Sequence, residues 1–301
     1  MNAKRFQYVL VLAREGSFSK AADALGISQP SLSQYIKKIE RSIGQTLFDR
    51  TNGEVRITEA GRLYIEAGQK ILDIEHQLEN AFADLAACKT GSLIVGAAPY
   101  RAASMLPTIA SAFRARYPGM HLVVREGTTA ELAEGMAHGE YDLALTLLPI
   151  DPRLFRYEKV VEEELILAVP SAYPQFPSAP VAGRKYPAVD AKVLDGQSLV
   201  MLTDAQFMQK QLEHLLLDYR LRVSVAAVVK SLEAQIEMVK AGMGMALMPG
   251  GIERFCRDDS VTFYSFRDRL PKRELVVMWR KDRPLSQVAE ELKQVIHSIP
   301  W

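Results

Sequence analysis

The chain has 301 residues, of which 48% are hydrophobic and 24% charged, a composition typical of a soluble globular protein with two or three domains. The chain has two cysteines, Cys88 and Cys256, which are too few for a disulfide framework. Because no apolar leader follows Lys4 and no apolar run is long enough to span a membrane, we expect a cytoplasmic protein with no membrane partner. The net charge of +1 conceals a basic excess in residues 1–58, which hold nine Lys/Arg against five Asp/Glu.

Residues 17–41 predict two short helices joined by a tight turn. The first helix has an apolar stripe, and Gly26 after it can adopt the left-handed conformation that ends a helix. Ser28 is a good N-cap for the second helix, and Pro30 suits its first turn. The apolar residues of this second helix recur at helical spacing, namely Leu32, Ile36 and Ile39.

The other face of the second helix carries polar side chains. Amides and hydroxyls can hydrogen-bond to base edges, and lysines can neutralise phosphates, so this pattern favours a helix-turn-helix that reads DNA in the major groove. The alternative is an ordinary amphipathic helix with a solvated face. The candidate DNA-contacting residues on this helix are Gln29, Ser31, Ser33, Gln34, Lys37 and Lys38.

Helical periodicity over residues 6–13 predicts a third helix that packs across this motif. Residues 47–57 then predict two short strands around an Asn-Gly turn, which together form a β-hairpin wing. Arg50 and Arg56 flank the turn within reach of a phosphate backbone, although two exposed arginines on any hairpin would give the same pattern.

Residues 58–89 predict one long helix whose apolar side chains recur every three or four residues, as in a coiled coil. Its other faces are polar, so the seam requires a partner helix. We expect the same helix of a second subunit rather than this chain's own domain, because so long a helix rarely folds back within one small domain. The seam consists of Ala67, Ile71, Ile74, Leu78, Phe82 and Leu85.

Beyond Thr90, strand and helix patterns alternate and predict two α/β halves with mainly parallel sheets and a cleft between them. The predicted strands are 93–98, 121–127, 142–148, a strand pair in 158–169, 198–202, 223–229, 245–248, 261–266 and 274–279. The predicted helices are 101–117, 130–138, 204–219, 232–241 and 285–299, with a surface excursion over 170–195.

Four stretches resemble the LysR-type transcriptional regulator family. They are AREGSFSKAADALGISQPSLSQYIKKIERSIGQTLFDRTNGEVRITEAG near the N-terminus, and later ARYPGMHLVVREG, GEYDLAL and AGMGMALMPG. The resemblance implies an α/β protein with an N-terminal winged helix-turn-helix, a long dimerising linker helix and a C-terminal two-lobed effector-binding domain similar to periplasmic solute-binding proteins. The expected boundaries are 1–58, 59–90 and 91–301, with lobe I at about 91–165 and 268–301 and lobe II at about 166–267.

The resemblance further implies a sequence-specific transcription regulator rather than an enzyme. Its partners would be a partly palindromic double-stranded operator, further copies of the chain up to a tetramer, and RNA polymerase. We expect no cofactor and no metal, only a small-molecule effector, with carboxylates among the candidate classes.

Carried over position by position, the resemblance places Gln29, Pro30, Ser33 and Gln34 in the major groove and Lys37, Lys38 and Arg50 at phosphates. The sequence departs from the family in the wing, where Gly53 and then Glu54 follow at a point where many relatives carry an arginine. Because of this departure, it is in doubt that the wing reads the minor groove, and Arg50 is expected to make the DNA contact instead.

Ligands of α/β folds bind beyond the carboxyl ends of strands, near helix N-termini whose N–H groups favour anions. Three strand ends of this kind precede Arg101, Thr128 and Thr203. Each threonine could instead be a cap or an ordinary loop residue, and Arg101 a surface cation. Asp204 would repel a carboxylate if it faced inwards. The candidate effector-binding residues are Ala98, Pro99, Tyr100, Arg101, Thr128, Thr146, Thr203, Phe207 and Met248.

Two other functions compete with this interpretation. An enzyme is disfavoured because the five histidines lack metal-ligand spacing, no Gly-x-Ser-x-Gly or phosphate loop occurs, and the Glu162–Glu164 run is typical of a solvated strand edge. Redox sensing through Cys256 or Cys88 is the second alternative, although no close cysteine pair exists in the sequence.

Overall fold

The computed structural model describes residues 4–51, 54–85, 90–203, 207–256, 259–268 and 270–301. Three regions follow one another along the chain: a small helical region with a hairpin, one long helix, and two α/β lobes. Among the described residues, no helix is both long enough and apolar enough to cross a membrane. The predicted fold class is confirmed.

The N-terminal region packs three helices around one small core. The helices are α1 (Lys4–Glu15), α2 (Phe18–Ala24) and α3 (Gln29–Ile43), followed by the antiparallel strands β1 (Phe48–Thr51) and β2 (Glu54–Ile57). Gly26 has φ +65°, which permits the tight turn between α2 and α3. The predicted helix-turn-helix and hairpin are thus present.

The long helix α4 (Glu59–Leu85) has 27 residues, which corresponds to a length of about 40 Å. Its first half packs on α1 so closely that a Cβ atom at Gly68 would lie 2.8 Å from the Phe6 ring. Further along, the predicted seam is open to solvent, since Ile74 is 64% exposed and Leu78 53%. Residues 86–89, including Cys88, lie outside the described residues.

The effector region alternates strands and helices. The strands are β3 (Gly91–Ala97), β4 (Met120–Glu126), β5 (Leu143–Leu147), β6 (Phe155–Glu163), β7 (Leu165–Pro170), β8 (Ala188–Val189), β9 (Ser198–Leu202), β10 (Ser224–Val229), β11 (Ala246–Pro249), β12 (Val261–Phe266) and β13 (Arg273–Arg280). The helices are α5 (Pro99–Ser104), α6 (Leu106–Arg116), α7 (Thr129–Ala137), α8 (Phe207–Asp218), α9 (Leu232–Lys240) and α10 (Gln287–Ser298), and short 3-10 helices lie at Ala191–Leu194 and Gly250–Phe255.

Lobe I contains a five-stranded sheet in the order β4-β3-β5-β13-β6. Strand β3 runs parallel to β4 and β5, whereas β13 runs antiparallel to β5 and β6. One apolar cluster joins this sheet to α6 and α10, and a second joins it to α7. Both faces of the sheet are therefore covered by helices.

Lobe II contains the strand order β11-β7-β12-β8 and the parallel pair β10-β9, which a bridge between Leu199 and Met245 connects to the main sheet. Strand β7 runs antiparallel to both of its neighbours. The chain crosses between the lobes twice, from β6 into β7 and from β12 back into β13. The lobes are consequently joined at the base of one cleft.

Several predicted elements differ in detail. The helix predicted over 101–117 is divided at Met105, because Pro107 cannot donate the next helical hydrogen bond. The strands predicted within 158–169 belong to different sheets, and the strands that carry the chain between lobes run antiparallel, so the prediction of mainly parallel sheets is wrong for them. The predicted surface excursion ends in the core, since Val189 and Leu194 are fully buried.

Candidate DNA interface and effector cleft

Helix α3 buries one face and exposes the other. Leu32, Ile36 and Ile39 lie in the N-terminal core, and the Ser28 side chain caps the helix by accepting a hydrogen bond from the Ser31 N–H at 3.3 Å. The opposite face is polar. Its exposed residues are Gln29, Pro30, Ser31, Gln34, Lys37 and Lys38, with Ser33 half-buried beside them.

The order of these groups along α3 suits a duplex. The amides of Gln29 and Gln34 lie at the N-terminal end, the part of a recognition helix that meets base edges, and Lys37 and Lys38 follow where phosphates would lie. The Ser31 hydroxyl lies 2.7 Å from the Ser28 hydroxyl, so it is engaged in the cap. The amides of Gln29 and Gln34 and the Ser33 hydroxyl remain the predicted base-reading groups of this helix.

The wing contributes one described cation. Arg56 is exposed in β2, directly across the hairpin from Asp49 in β1, and opposite charges on facing strand residues attract. Arg50 lies in β1, but its side chain is outside the part of the chain that the structure describes, as are Asn52 and Gly53. That Arg50 contacts DNA in place of the wing tip stays a prediction.

A buried ion pair lies between the two lobes. Arg101, in the first turn of α5, is 4% exposed and donates to both oxygens of Glu163 at the end of β6, with an Nη1–Oε1 distance of 2.7 Å. Bidentate pairs of this kind fix both side chains. The charge of Arg101 is thus already balanced, so the structure does not present it as the free cation that the sequence pattern suggested.

A second arginine lies beside this pair. Arg273, the first residue of β13, faces Glu163 across the strand ladder, and burial followed by repulsion from Arg101 lowers its pKa to about 10. Its Nη1 lies 3.3 Å from the Met208 sulfur of α8 in lobe II, and its buried Nε has no hydrogen-bond partner among the described residues. Arg273 thus adds a second cation beside the pair, although the adjoining cavity is also bordered by Lys185, Arg254 and the carboxylates of Glu162, Glu164 and Glu253.

Arg273 is not among the residues predicted from the sequence. An arginine that follows Lys272 before an apolar run is typical of a solvated strand end, so no local pattern distinguishes it. Only the antiparallel return of β13 beside β6 brings it to Glu163. The site therefore depends on the pairing of two strands that are distant in sequence, and no local pattern predicts that pairing.

Tyr100 completes the contact between the lobes. Although it belongs to α5, it packs in the apolar cluster of lobe II, with its ring 5.8 Å from that of Phe255. Burial raises the pKa of its phenol, and its hydroxyl finds no hydrogen-bond partner among the residues described. The Thr146 hydroxyl is buried and equally without a described partner. These hydroxyls could serve a bound molecule.

Thr128 serves as a helix cap. Its hydroxyl accepts a hydrogen bond from the Glu131 N–H at 3.3 Å, and its own N–H donates to the Glu131 carboxylate at 2.7 Å. The backbone bond from Thr128 is the main cause that lowers the pKa of Glu131. A carboxylate already occupies the N-terminus of α7, which disfavours a second anion there.

The remaining predicted residues differ in their access to the cleft. Ala98 accepts the Arg101 N–H at 2.8 Å, Thr203 is half-buried, and Phe207 at the start of α8 is 42% exposed. Pro99 is exposed. Met248 is fully buried in the lobe II core, so it does not line the open cleft in this structure, and its contact with an effector stays a prediction. Asp204 lies outside the described residues.

A cavity of about 250 Å³ opens beside the ion pair, near the lower size limit of small-molecule sites. It lies between α5 and the 3-10 helix that follows β11 in lobe II. A Cβ atom at Gly251 would lie 3.0 Å from the Tyr100 hydroxyl, so a glycine keeps this space open. The residues that border it include Tyr100, Arg101, Glu163, Tyr186, Gly251 and Arg254.

Neither metal nor disulfide chemistry gains support from the side chains. In the described part of the chain, no group of three or more His, Cys, Asp or Glu residues could hold a metal ion. Cys256 is half-buried and packs against the apolar core of lobe II. Cys88, the other cysteine of the redox alternative, lies outside the described residues.

Two family profiles match the chain. One, described as the bacterial regulatory helix-turn-helix protein of the lysR family, covers residues 3–62, and the other, the LysR substrate binding domain, covers residues 88–299. The second alone spans more than half of the chain.

Individual relatives agree with these profiles. An uncharacterised HTH-type transcriptional regulator, YcgK of Bacillus subtilis strain 168, is 28% identical over 98% of this chain and 94% of its own. A hydrogen peroxide-inducible genes activator of Pectobacterium carotovorum is 27% identical over 98% of this chain and 96% of its own. The crystal structure of CbnR, a LysR family transcriptional regulator, matches with a TM-score of 0.67 at 19% identity, covering 99% of both chains. The chain belongs to the LysR family and is a DNA-binding transcriptional regulator with an effector-binding domain.

Proposed function

We propose that this regulator changes its DNA binding when a small anionic molecule, such as a carboxylate, binds between its two lobes. The observation that carries the proposal is Arg273, a second arginine beside a pair that is already neutral. Burying a cation without a counter-charge is costly, and an anion in the cleft would remove that cost. The buried hydroxyl of Tyr100, which borders the cavity, is available to hydrogen-bond such a ligand, and Thr146 stays a further candidate.

The regulator would act as a two-fold dimer in the cytoplasm, with dimers pairing into tetramers and with RNA polymerase as a further partner. The exposed seam of α4 supports dimerisation, because Ile74, Leu78 and Phe82 recur along one side and are each more than half exposed. The proposed division of the chain is 1–58 for DNA binding, 59–90 for the linker and 91–301 for effector binding.

Two copies of α3 would read a partly palindromic operator. Gln29, Ser33 and Gln34 would meet base edges, Pro30 and Ser31 would line the same groove, and Lys37, Lys38, Arg50 and Arg56 would contact phosphates. Two-fold symmetry predicts half-sites separated by one helical turn, about 10–10.5 base pairs, or by a multiple of it. A ligand can shift this arrangement only if it binds the two states with different affinity.

The anion is tested by thermal unfolding of the full chain with matched pairs of probes: acetate and acetamide, succinate and succinamide, benzoate and benzamide, and inorganic phosphate. We expect at least one anion to raise the melting temperature by about 3 °C at ten times its Kd, and its neutral amide to have no effect. Arg273→Gln should abolish the shift. Arg267→Gln, which removes an exposed arginine after β12, should preserve it.

Stabilisation by the amides, no stabilisation by any anion, or an unchanged response of Arg273→Gln would each refute the anionic effector. A second titration follows DNA binding with the stabilising anion present, where the half-site spacing or affinity should change. Replacing Cys256 and Cys88 by serine tests the redox alternative; because Cys256 packs against apolar residues, we expect that variant to respond to peroxide as the wild type does.

A further inference from the structure

The second half of α4 is fastened to lobe I of its own chain by buried charges. Asp73 is 7% exposed, and its carboxylate accepts hydrogen bonds from Arg280 at 2.5 Å and Arg283 at 2.6 Å. A Cβ atom at Gly139 would lie 2.2 Å from the Asp73 carboxyl group, so the backbone after α7 closes over this contact. The carboxylate is enclosed on both sides.

A second polar contact lies one turn further along α4. The His76 Nε2 lies 2.9 Å from Asp142 Oδ2, and the same oxygen accepts the Ile94 N–H of β3 at 2.8 Å. Residues three apart share one face of a helix, so Asp73 and His76 meet lobe I together. We call Asp73, His76, Asp142, Arg280 and Arg283 the helix clamp.

The helix clamp lies on the side of α4 away from the predicted dimer seam. At about 100° per residue, Asp73 and His76 point roughly opposite to Ile74 and Leu78, which are exposed. One face of the helix is therefore held by lobe I, while the opposite face is open to a second copy. A movement of lobe I would displace the seam with it.

Strand β13 connects the clamp to the cleft. Arg273 is its first residue and Arg280 its last, so about 23 Å of one strand separates the proposed anion site from Asp73. Lobe I contributes to both ends of this path, because β13 pairs with β6 from Arg273 to Arg280 and with β5 in its middle part. A rigid displacement of β13 at the cleft would therefore also move the end of the strand that holds Asp73.

We propose that Asp73 and His76 are positioning residues that fix the linker helix α4 to lobe I. The effector domain would thereby set the spacing and phase of the two α3 helices of a dimer, which read the DNA. This inference rests on the proposed two-fold reading of DNA. A loose helix would allow each reading domain to adjust to its half-site independently, whereas a clamped helix holds both domains at one spacing.

The test uses full-length protein and a duplex that the wild type selects from random DNA. Binding is compared on this duplex and on a derivative with five base pairs, about half a helical turn, inserted between the half-sites. We expect the wild type to lose about tenfold or more in affinity on insertion, because avidity is lost when geometry prevents both sites from engaging. Asp73→Asn should lose about threefold or less, and His76→Gln an intermediate amount.

Glu59→Gln is the matched control, because Glu59 also pairs with an arginine on α4, at 2.6 Å, but at an exposed position. It should behave as the wild type. Hydrogen exchange at residues 70–79 gives an independent measurement. These residues should exchange faster in Asp73→Asn than in the wild type, whereas the temperature at which the core of lobe II unfolds should change little. If Asp73→Asn and His76→Gln bind the inserted duplex as poorly as the wild type does, the clamp has no positioning role. If insertion does not affect the wild type, two-fold reading itself fails, and the inference fails with it.

Discussion

The reading helix and the interlobe cleft place their polar residues in opposite ways. On α3 the predicted DNA-contacting groups are near neighbours in sequence, and most are exposed. In the cleft, Arg101, Glu163 and Arg273 come from three distant segments and are enclosed by two lobes. A change on the helix should therefore alter DNA binding with little effect on folding, whereas a change in the cleft should alter folding itself.

The two regions also differ in how charge is balanced. Lys37 and Lys38 are exposed cations that water solvates until a phosphate arrives. Arg273 lies beside Arg101 in the fold and faces Glu163 across the strand ladder, but both oxygens of that carboxylate accept hydrogen bonds from Arg101. If both sites act as proposed, the helix would accept any polyanion, whereas the cleft would select its ligand because its charges are fixed in place.

Glu163→Gln should give the largest effect on folding. The substitution leaves Arg101 and Arg273 facing each other without a carboxylate, and breaking a buried pair costs about 3–5 kcal/mol in the free energy of unfolding. Chemical denaturation of the full chain measures this loss. Glu162→Gln, which removes an exposed partner of Lys159 at 2.8 Å, should leave stability nearly unchanged. Equal losses for the two variants would contradict the central role of the buried pair.

Gln29→Ala should leave folding intact and weaken one base contact. A side-chain amide that reads a base edge contributes about 1–3 kcal/mol of discrimination, so the variant should tolerate substitution at one operator position. Lys37→Ala should weaken binding to every duplex alike and reduce the dependence of affinity on salt. Equilibrium binding to the selected duplex and its single-base variants distinguishes the two results. Sequence-independent losses for both variants would place Gln29 outside the groove.

The sequence predicts the reading helix well because its rules are local. Gly26, Ser28 and the stripe from Leu32 to Ile39 lie within a few turns of one another, and each acts as expected in the structure. The long linker helix and most strands of the lobes follow from the same kind of periodicity. Most of the predicted DNA contacts lie on the polar face of α3, with Arg50 and Arg56 on the hairpin, and whether each meets DNA stays a prediction.

The cleft could be predicted only in outline. Its position between two α/β halves follows from alternating strands and helices, but its charges depend on which strands become neighbours. Thr128 caps α7 and Met248 enters a core, because a strand-end position does not fix the direction of a side chain. Arg273 and the Asp73 contact both require β13 to return beside β6, and no local pattern encodes that pairing.

Thr128→Ala tests whether the strand-end threonine acts as a cap or as a ligand contact. Losing an N-cap costs about 1 kcal/mol, so the melting temperature should fall by about 2–4 °C. The response to the stabilising anion should remain, because Glu131 and the capping hydrogen bonds occupy that helix end. Thr129→Ala, at the neighbouring exposed position, is the control and should change neither quantity. Loss of the anion response in Thr128→Ala would return this residue to the effector site.

The smallest expected effect is a pH dependence at His76. The hydrogen bond to Asp142, followed by the Asp142 and Glu79 charges, raises the pKa of His76 against the opposing effects of burial and of Arg283. A raised pKa means that the folded protein binds the proton more tightly, so this stabilisation is complete below the unfolded value of about 6.5 and is lost as pH rises through the folded pKa. The difference in melting temperature between the wild type and His76→Gln should therefore shrink as pH rises from about 6.5 through the raised pKa of the folded protein. A difference that grew with pH would show that His76 meets Asp142 as a neutral ring, and the clamp would then depend on Asp73 alone.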